Sequence, residues 1–289
     1  MSILLNKNTK ILVSGITGKE GSFHTEKMIN MGAKVVCGVT PGKGGSTHLC
    51  LPVYDTVKDA RANHEIDACG IFVPAKFTIN AVNEAIDAGI SFIVVITEGI
   101  CPHESLKFIS NAKRKGVTLL GPNTPGLLTP RESKIGVLAT EYVKKGNIGV
   151  ISRSGTLTVE ICYYLLRAGF GQSSIVGLGG DPVVGSTFKD VYELFEEDDE
   201  TEGVVIVGEI GGTMEEELAE YITGSENKKP TVAFIAGKNA PEGKRLGHAG
   251  AIIEGGMGSA ASKINALEEA GVKIANVPWE VGQIMKLII

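Results

Sequence analysis

Short continuous apolar runs recur along this chain, and stretches of helical periodicity separate them. In the first half the runs are Lys10–Ser14, Lys34–Val39, Gly70–Val73, Phe92–Ile96 and Thr118–Leu120, with helices predicted at Ser22–Met31, near Thr56–Asn63, at Ile79–Ala88 and at Glu104–Lys115. A strand without polar alternation is buried on both faces, and strands alternating with helices form a parallel sheet covered on each side. The alternation pauses at Gly121-Pro122-Asn123-Thr124-Pro125-Gly126 and Thr129-Pro130, where proline and glycine mark a boundary. It then restarts, with strands predicted at Asn147–Ile151, Ser174–Leu178, Val204–Val207, Thr231–Ile235 and Val272–Ala275. The helices expected between and after them are Leu157–Ala168, Ser186–Glu196, Met214–Thr223, Ser259–Ala270 and Trp279–Leu287. With 289 residues and roughly 100–200 residues per domain, the pattern predicts two α/β domains, 1–125 and 126–289. The second is a doubly wound parallel sheet, flavodoxin-like in outline.

A net charge of −5 without a basic stripe argues against nucleic acid as a partner. The cysteines at 37, 50, 69, 101 and 162 are odd in number and lack C-x-x-C spacing, which fits free thiols in a reducing compartment. No run approaches the roughly 18 apolar residues of a membrane helix, and Met1–Lys7 is too short and polar for a signal peptide. The expectation is a soluble cytoplasmic protein, or one of the mitochondrial matrix if this is a mature organellar form. None of His24, His48, His64 and His103 has a second histidine at i,i+4 spacing, and no metal site and no catalytic role is expected of them.

Chemistry is concentrated in the loops after the strands. The first strand runs into Gly15-Ile16-Thr17-Gly18-Lys19-Glu20-Gly21, whose G-x-x-G-x-x-G spacing fits a variant nucleotide loop or a tight βα turn alone. The second ends in Val39-Thr40-Pro41-Gly42-Lys43-Gly44-Gly45, where an NAD site would carry an acid for the ribose hydroxyls. Lys43 there suits an extra ribose phosphate, as in coenzyme A or NADP, or is a solvated loop lysine. No Walker A sequence is present, because Gly42-Lys43 is followed by glycine. In the second half, Ser154, Gly155 and Thr156 open a helix, and its free N–H groups suit an anion. Glu209 follows a buried strand, where a carboxylate can hold an imidazole in one tautomer. His248 lies in Gly247-His248-Ala249-Gly250-Ala251, with Lys244 and Arg245 just before it. Imidazole acts as nucleophile or base near neutral pH, and small neighbours leave its ring accessible. Because strand C-termini form the ligand crevice of an open α/β sheet, the three features are expected to converge, with His248 accepting a phosphoryl group, Glu209 orienting it and Ser154–Thr156 cradling phosphate.

Together with Ile96-Thr97-Glu98-Gly99-Ile100, Gly121-Pro122-Asn123, Ser152–Thr158, Gly179-Gly180-Asp181-Pro182 and Gly208–Gly212, these stretches resemble, in order and spacing, the α subunits of succinyl-CoA synthetase (succinate–CoA ligase) over essentially the whole chain. The resemblance implies an N-terminal Rossmann-like domain binding coenzyme A through Thr17, Gly18, Lys19, Glu20, Lys43, Ile96, Thr97 and Glu98. It implies that His248 is phosphorylated, with support from Glu209. It also implies a β subunit, in an αβ or α2β2 assembly, that holds Mg²⁺ and ATP or GTP. The implied reaction forms succinyl-CoA from succinate, CoA and nucleoside triphosphate through succinyl phosphate.

Two positions depart from the family. Val159 stands where the family has a tyrosine near the organic acid, and Thr124 replaces a cysteine. The alternatives are a related ligase or lyase acting on malate, citrate or another carboxylate, an NADP-dependent oxidoreductase, and a non-catalytic CoA-binding module.

Overall fold

The computed structural model describes residues 2–254 and 257–289; Met1, the expected start of the first domain, lies outside them. Two α/β units emerge. Leu4–Val137 with Val183–Gly185 form the first, and Leu138–Pro182 with Ser186–Ile289 form the body of the second.

In the first unit the elements are β1 Lys10–Ser14, α1 Lys19–Asn30, β2 Lys34–Val39, β3 Thr47–His48, β4 Leu51–Tyr54, α2 Val57–Asn63, β5 Ala68–Ile71, α3 Ala75–Asp87, β6 Phe92–Val95, α4 Pro102–Arg114 and β7 Thr118–Leu120. The sheet runs in the order β3-β4-β2-β1-β5-β6-β7. From β4 onward the pairings are parallel, with Ile11 opposite Val35 on one side of β1 and Val13 opposite Gly70 on the other. This is the Rossmann order, with its switch point between β1 and β5. The helices cover a core of Leu12, Ile71, Val82, Val95 and Phe108.

Strand β5 ends two residues before the predicted run does. Phe72 N–H still donates to the Ser14 carbonyl at 2.9 Å, and the chain then turns through Val73 into α3, with Pro74 at its N-cap. The β3–β4 hairpin was not expected. Its turn uses Leu49 and Cys50 at φ 51° and 61°, in place of the glycine or asparagine that normally announces such a turn.

A second hairpin, β8 Gly126–Thr129 and β9 Ser133–Gly136, occupies the stretch expected to separate the domains. A Cβ on Gly126 (φ +92°) would lie 1.9 Å from the Ile135 carbonyl oxygen, so only glycine permits this pairing. Ile135 packs against Gly70, and β9 packs against α1. The compact unit therefore extends to Val137, beyond the expected boundary at 125. Val183 packs on the same core, and Gly185 N–H donates to the Gly121 carbonyl at 2.8 Å.

The second unit contains β10 Lys145–Ser152, α5 Gly155–Arg167, β11 Gln172–Gly177, α6 Phe188–Glu196, β12 Gly203–Glu209, α7 Met214–Gly224, β13 Thr231–Ala236, α8 Ala260–Glu269, β14 Lys273–Ala275 and α9 Val281–Ile288. Its parallel strands lie in the order β14-β13-β12-β10-β11, the flavodoxin-like arrangement with a switch point between β10 and β12. Side-chain caps fix three helix starts. Ser154 caps α5, Thr187 with Asp190 forms a capping box on α6, and Ser259 caps α8. Strands β11 and β12 are buried at every residue, as strands covered on both faces must be.

Candidate active site

In the first unit a cleft of about 380 Å³ opens at the switch point, lined by Gly18, Lys19, Glu20, Phe72, Val73, Pro74, Ile96, Thr97 and Glu98. The lining comes from the three segments that follow β1, β5 and β6. Glycine is required in the first of these. A Cβ on Gly21 would lie 2.2 Å from the Gly15 carbonyl oxygen, so the close turn that starts α1 needs a bare α-carbon there. The start of α1, Gly18–Glu20, borders the cleft and has no side-chain cap; the free N–H groups of a helix N-terminus are the usual footing for a phosphate. Thr97 Oγ1 donates to the Val73 carbonyl at 2.7 Å and ties two of the walls together.

Thr17 and Lys43 do not line the cleft. Thr17 Oγ1 donates to Thr40 Oγ1 at 3.2 Å, and Lys43 is exposed on the neighbouring turn, which Asp55 holds by accepting the Gly44 N–H at 2.9 Å. Phe72, Val73 and Pro74 are lining residues that the sequence pattern assigned to a strand and its end. Pro74 directly after the apolar run was the available signal.

In the second unit the strand ends carry charge. Glu209 is the last residue of β12, and both its carboxylate oxygens accept from His248 Nδ1, at 2.9 and 2.8 Å. His248 comes from the loop after β13, and its ring packs against Gly180, in the loop after β11. A Cβ on Gly180 would meet the ring at 2.4 Å. The loop is pinned there by Gly250 N–H donating to the Gly180 carbonyl at 3.0 Å and folds on itself through Ala251 N–H to the His248 carbonyl at 3.1 Å. With Nδ1–H committed to the carboxylate, Nε2 is the nitrogen with an available lone pair. The hydrogen bond to Glu209 raises the His248 pKa above the ordinary imidazole value; burial and Arg153 oppose the rise, and Asp181 adds to it.

Behind this pair lies a buried cluster. Arg153, 2% exposed, follows β10 and places Nε 3.3 Å from Glu209 Oε1, an ion-pair contact without hydrogen-bond geometry. Its Nη1 donates to the Gly211 carbonyl at 3.0 Å and lies 3.7 Å from Glu215 Oε1. Glu215 Oε1 accepts the Glu209 backbone N–H at 3.1 Å. Lys263 on α8 pairs with Glu215 and Glu216. Sequence reading gave no individual role to Arg153, Gly180, Glu215 or Lys263. Gly179-Gly180-Asp181-Pro182 was the nearest signal, since paired glycines after a strand mark close backbone approach.

The structure therefore brings His248 and Glu209 into contact. Ser154, Gly155 and Thr156 start α5 immediately after Arg153, at the same strand ends. Ser154 Oγ accepts the Leu157 N–H at 3.3 Å as the cap, and Thr156 is exposed. Val159 is half-buried on α5.

Comparison with known proteins identifies the frame. Residues 6–99 match the CoA binding domain family and residues 151–273 the CoA-ligase family. The chain is 52% identical over 289 residues, covering 100% of both sequences, to succinate–CoA ligase [ADP-forming] subunit alpha 2 of Archaeoglobus fulgidus.

The chain belongs to the succinate–CoA ligase α-subunit family.

It is accordingly a CoA-ligase subunit with a CoA-binding domain, and the α designation of its relatives denotes a heteromeric enzyme. A second α subunit of that family, from Aquifex aeolicus, is 50% identical over 292 residues, covering 100% of this chain and 95% of that one. A subunit of an ADP-forming sulfoacetate-CoA ligase from Acholeplasma is 48% identical, covering 99% and 98%. The fold is shared with an ATP citrate lyase from Methanosaeta concilii in complex with (3S)-citryl-CoA. That match has a TM-score of 0.90 at 23% identity and covers 99% of this chain but 50% of the lyase. Among the described residues no helix is long and apolar enough to cross a membrane.

Proposed function

We propose that this chain is the CoA-binding, phosphohistidine-bearing subunit of a succinate–CoA ligase, catalysing succinate + CoA + NTP ⇌ succinyl-CoA + NDP + phosphate with a β subunit. One observation carries this: the Glu209 carboxylate takes His248 Nδ1–H with both oxygens and leaves Nε2 as the nucleophile. Names of relatives at 48–52% identity support the acid and the ADP-forming direction.

ATP or GTP, which the partner β subunit of an αβ or α2β2 enzyme would hold together with Mg²⁺, supplies the phosphoryl group. His248 Nε2 forms the N–P bond as the nucleoside diphosphate leaves, and Glu209 stabilises the positive charge that develops on the ring. The N-terminal turn of α5, Ser154–Thr156, cradles the phosphoryl oxygens with backbone N–H groups. A succinate carboxylate oxygen then attacks phosphorus, the N–P bond breaks, and succinyl phosphate forms. The carboxylate, a poor acyl donor, now carries a phosphate leaving group. The CoA thiolate adds to the acyl carbon and phosphate departs. CoA lies in the first-unit cleft against Gly18–Glu20 and Ile96–Glu98, with Thr17 and the exposed Lys43 serving the turn beside it. The enzyme works in the cytoplasm, or in the matrix for an organellar form.

A second reading keeps this chemistry and changes the acid. It is favoured by Val159, which lacks the tyrosine hydroxyl of the family, and by a sulfoacetate-CoA ligase subunit 48% identical to this chain.

The test uses the complex with its β subunit and γ-labelled ATP or GTP. Label is expected on this chain as acid-labile, base-stable phosphate, absent in His248→Ala and discharged by succinate plus CoA. Discharge only by another acid selects the second reading. A folded complex that binds CoA and never takes label overturns both and leaves a CoA-binding module.

A further inference from the structure

We propose that Lys263 is a positioning residue for the His248–Glu209 pair, acting through Glu215 and Arg153; the proposal rests on His248 being the phosphorylated group. Lys263 is fully buried in α8. An ammonium has three N–H donors, and Lys263 Nζ meets three acceptors: the Gly212 carbonyl at 2.9 Å, Glu216 Oε2 at 3.0 Å and Glu215 Oε2. A lysine so completely satisfied inside a protein is fixed in place.

What it fixes is the mount of the catalytic carboxylate. Glu215, also fully buried, gives one oxygen to Lys263 and the other to the Glu209 backbone N–H. There is no slack beneath the strand end, since a Cβ on Gly208 would lie 2.7 Å from Glu215 Oε1. Arg153 stands between the two carboxylates, 3.3 Å from Glu209 and 3.7 Å from Glu215. Lys263 thus reaches the carboxylate that holds Nδ1–H through two intervening side chains, Glu215 and Arg153, and it touches none of the reacting atoms.

Charge balance makes the connection functional. Two buried carboxylates, Glu209 and Glu215, are matched by two buried cations, Arg153 and Lys263. Like charges this close in a low-dielectric interior stay ionised only when each has a counter-charge. Without Lys263, two carboxylates share one guanidinium, so proton uptake by the cluster becomes more favourable and Arg153 is drawn from Glu209 toward Glu215. Either change loosens the anion that orients His248. The other charged groups facing the cluster are Glu216, at its rim beside Lys263, Asp181, near the ring, and Arg245, whose Nε donates to the His248 carbonyl at 3.3 Å. None of these replaces the buried cation. Of the strands packed on α8, β13 carries no charged residue, and the one charge of β14, Lys273, is exposed.

The experiment uses the complex with its β subunit and follows phosphorylation by labelled ATP across pH, with a parallel titration of the His248 ring by NMR in the absence of nucleotide. In Lys263→Met the phosphorylation rate is expected to fall on the order of tenfold, as when an orienting partner is lost. The KM for ATP should stay within about twofold, and the acid limb should rise by about one pH unit. Lys263→Arg should recover most of the rate. The double variant Lys263→Met with Glu215→Gln restores one cation to one carboxylate and keeps an acceptor for the Glu209 N–H, so its acid limb and ring titration should return toward those of the parent. A merely structural lysine would lower the amount of active enzyme without moving either titration. An unmoved acid limb and an unmoved ring titration in Lys263→Met overturn the proposal. If that variant fails to fold, a double variant that folds with the limb still displaced does so. Absence of label in the parent complex, by contrast, overturns the phosphohistidine reading itself.

Discussion

At the switch point of the first unit the strands give way to glycine and solvated charge, whereas at that of the second they end in buried charge. Gly15, Gly18 and Gly21 shape one crevice, and Lys19, Glu20, Lys43 and Glu98 stand exposed around it. Arg153 and Glu209, 2% and 7% exposed, shape the other, with Glu215 and Lys263 fully buried beneath them. The topology is nearly the same, and on the proposed function the difference follows from what each crevice would hold. A ligand that comes and goes is best met by backbone N–H groups and cations that stay hydrated until it arrives. A group that must receive and release a phosphoryl in one geometry needs its orienting charges fixed in advance, and their desolvation is then met once, during folding.

The sharpest way to break this contrast is Glu209→Gln. It keeps the shape but removes the anion, and phosphorylation of His248 is expected to fall on the order of a hundredfold or more. Because Glu209 is the main cause of the raised His248 pKa, the acid limb of the residual activity should move to lower pH, opposite to the shift expected for Lys263→Met. A calorimetric titration should find CoA affinity unchanged; a parallel loss of CoA binding would mean the two crevices are not separable.

A smaller effect is expected from Lys43→Ala. An exposed lysine facing a phosphate contributes modestly and is screened by salt, so the KM for CoA should rise about three- to tenfold at low ionic strength and less at high. A KM that is indifferent to both substitution and salt would remove Lys43 from the CoA site.

The smallest effect sharpens the comparison without touching activity. Cys50 and Cys101, exposed in the first unit, should react with a thiol reagent at pH 8. Burial pushes the thiols of Cys37 and Cys162 up to about 12, and that of Cys69 higher still. They should stay unreactive until the protein unfolds. Mass mapping that finds Cys162 labelled in the native protein would show the second unit to be looser than its packing indicates.

Much of this was legible in the sequence because burial on both faces leaves an unmistakable apolar run. Lys10–Ser14, Lys34–Val39 and Thr118–Leu120 are strands with the expected bounds. The hairpins were not legible. Thr47–Tyr54 turns on Leu49-Cys50, which carry no turn signal, and Gly126–Gly136 is made of the same proline and glycine that mark a linker. Glu209 and His248 could be singled out because one closes a buried apolar run and the other stands in a glycine-rich loop. Their supports could not. Lys263 sits at the helical position of a core residue, and Arg153 lies inside a run of small polar residues that reads as a cap. Only the fold reveals that a lysine and an arginine 110 positions apart divide two glutamates between them.

That shared accounting of charge has a consequence across lineages. Positions 153, 209, 215 and 263 are not free to drift one at a time, since any single replacement that removes a charge strands another inside the protein. They should be exchanged in compensating pairs or held together. On the proposed function, a chain that keeps the histidine loop but has lost one of the four charges, with no compensating change nearby, is expected to have lost group transfer, whatever its overall resemblance to a ligase.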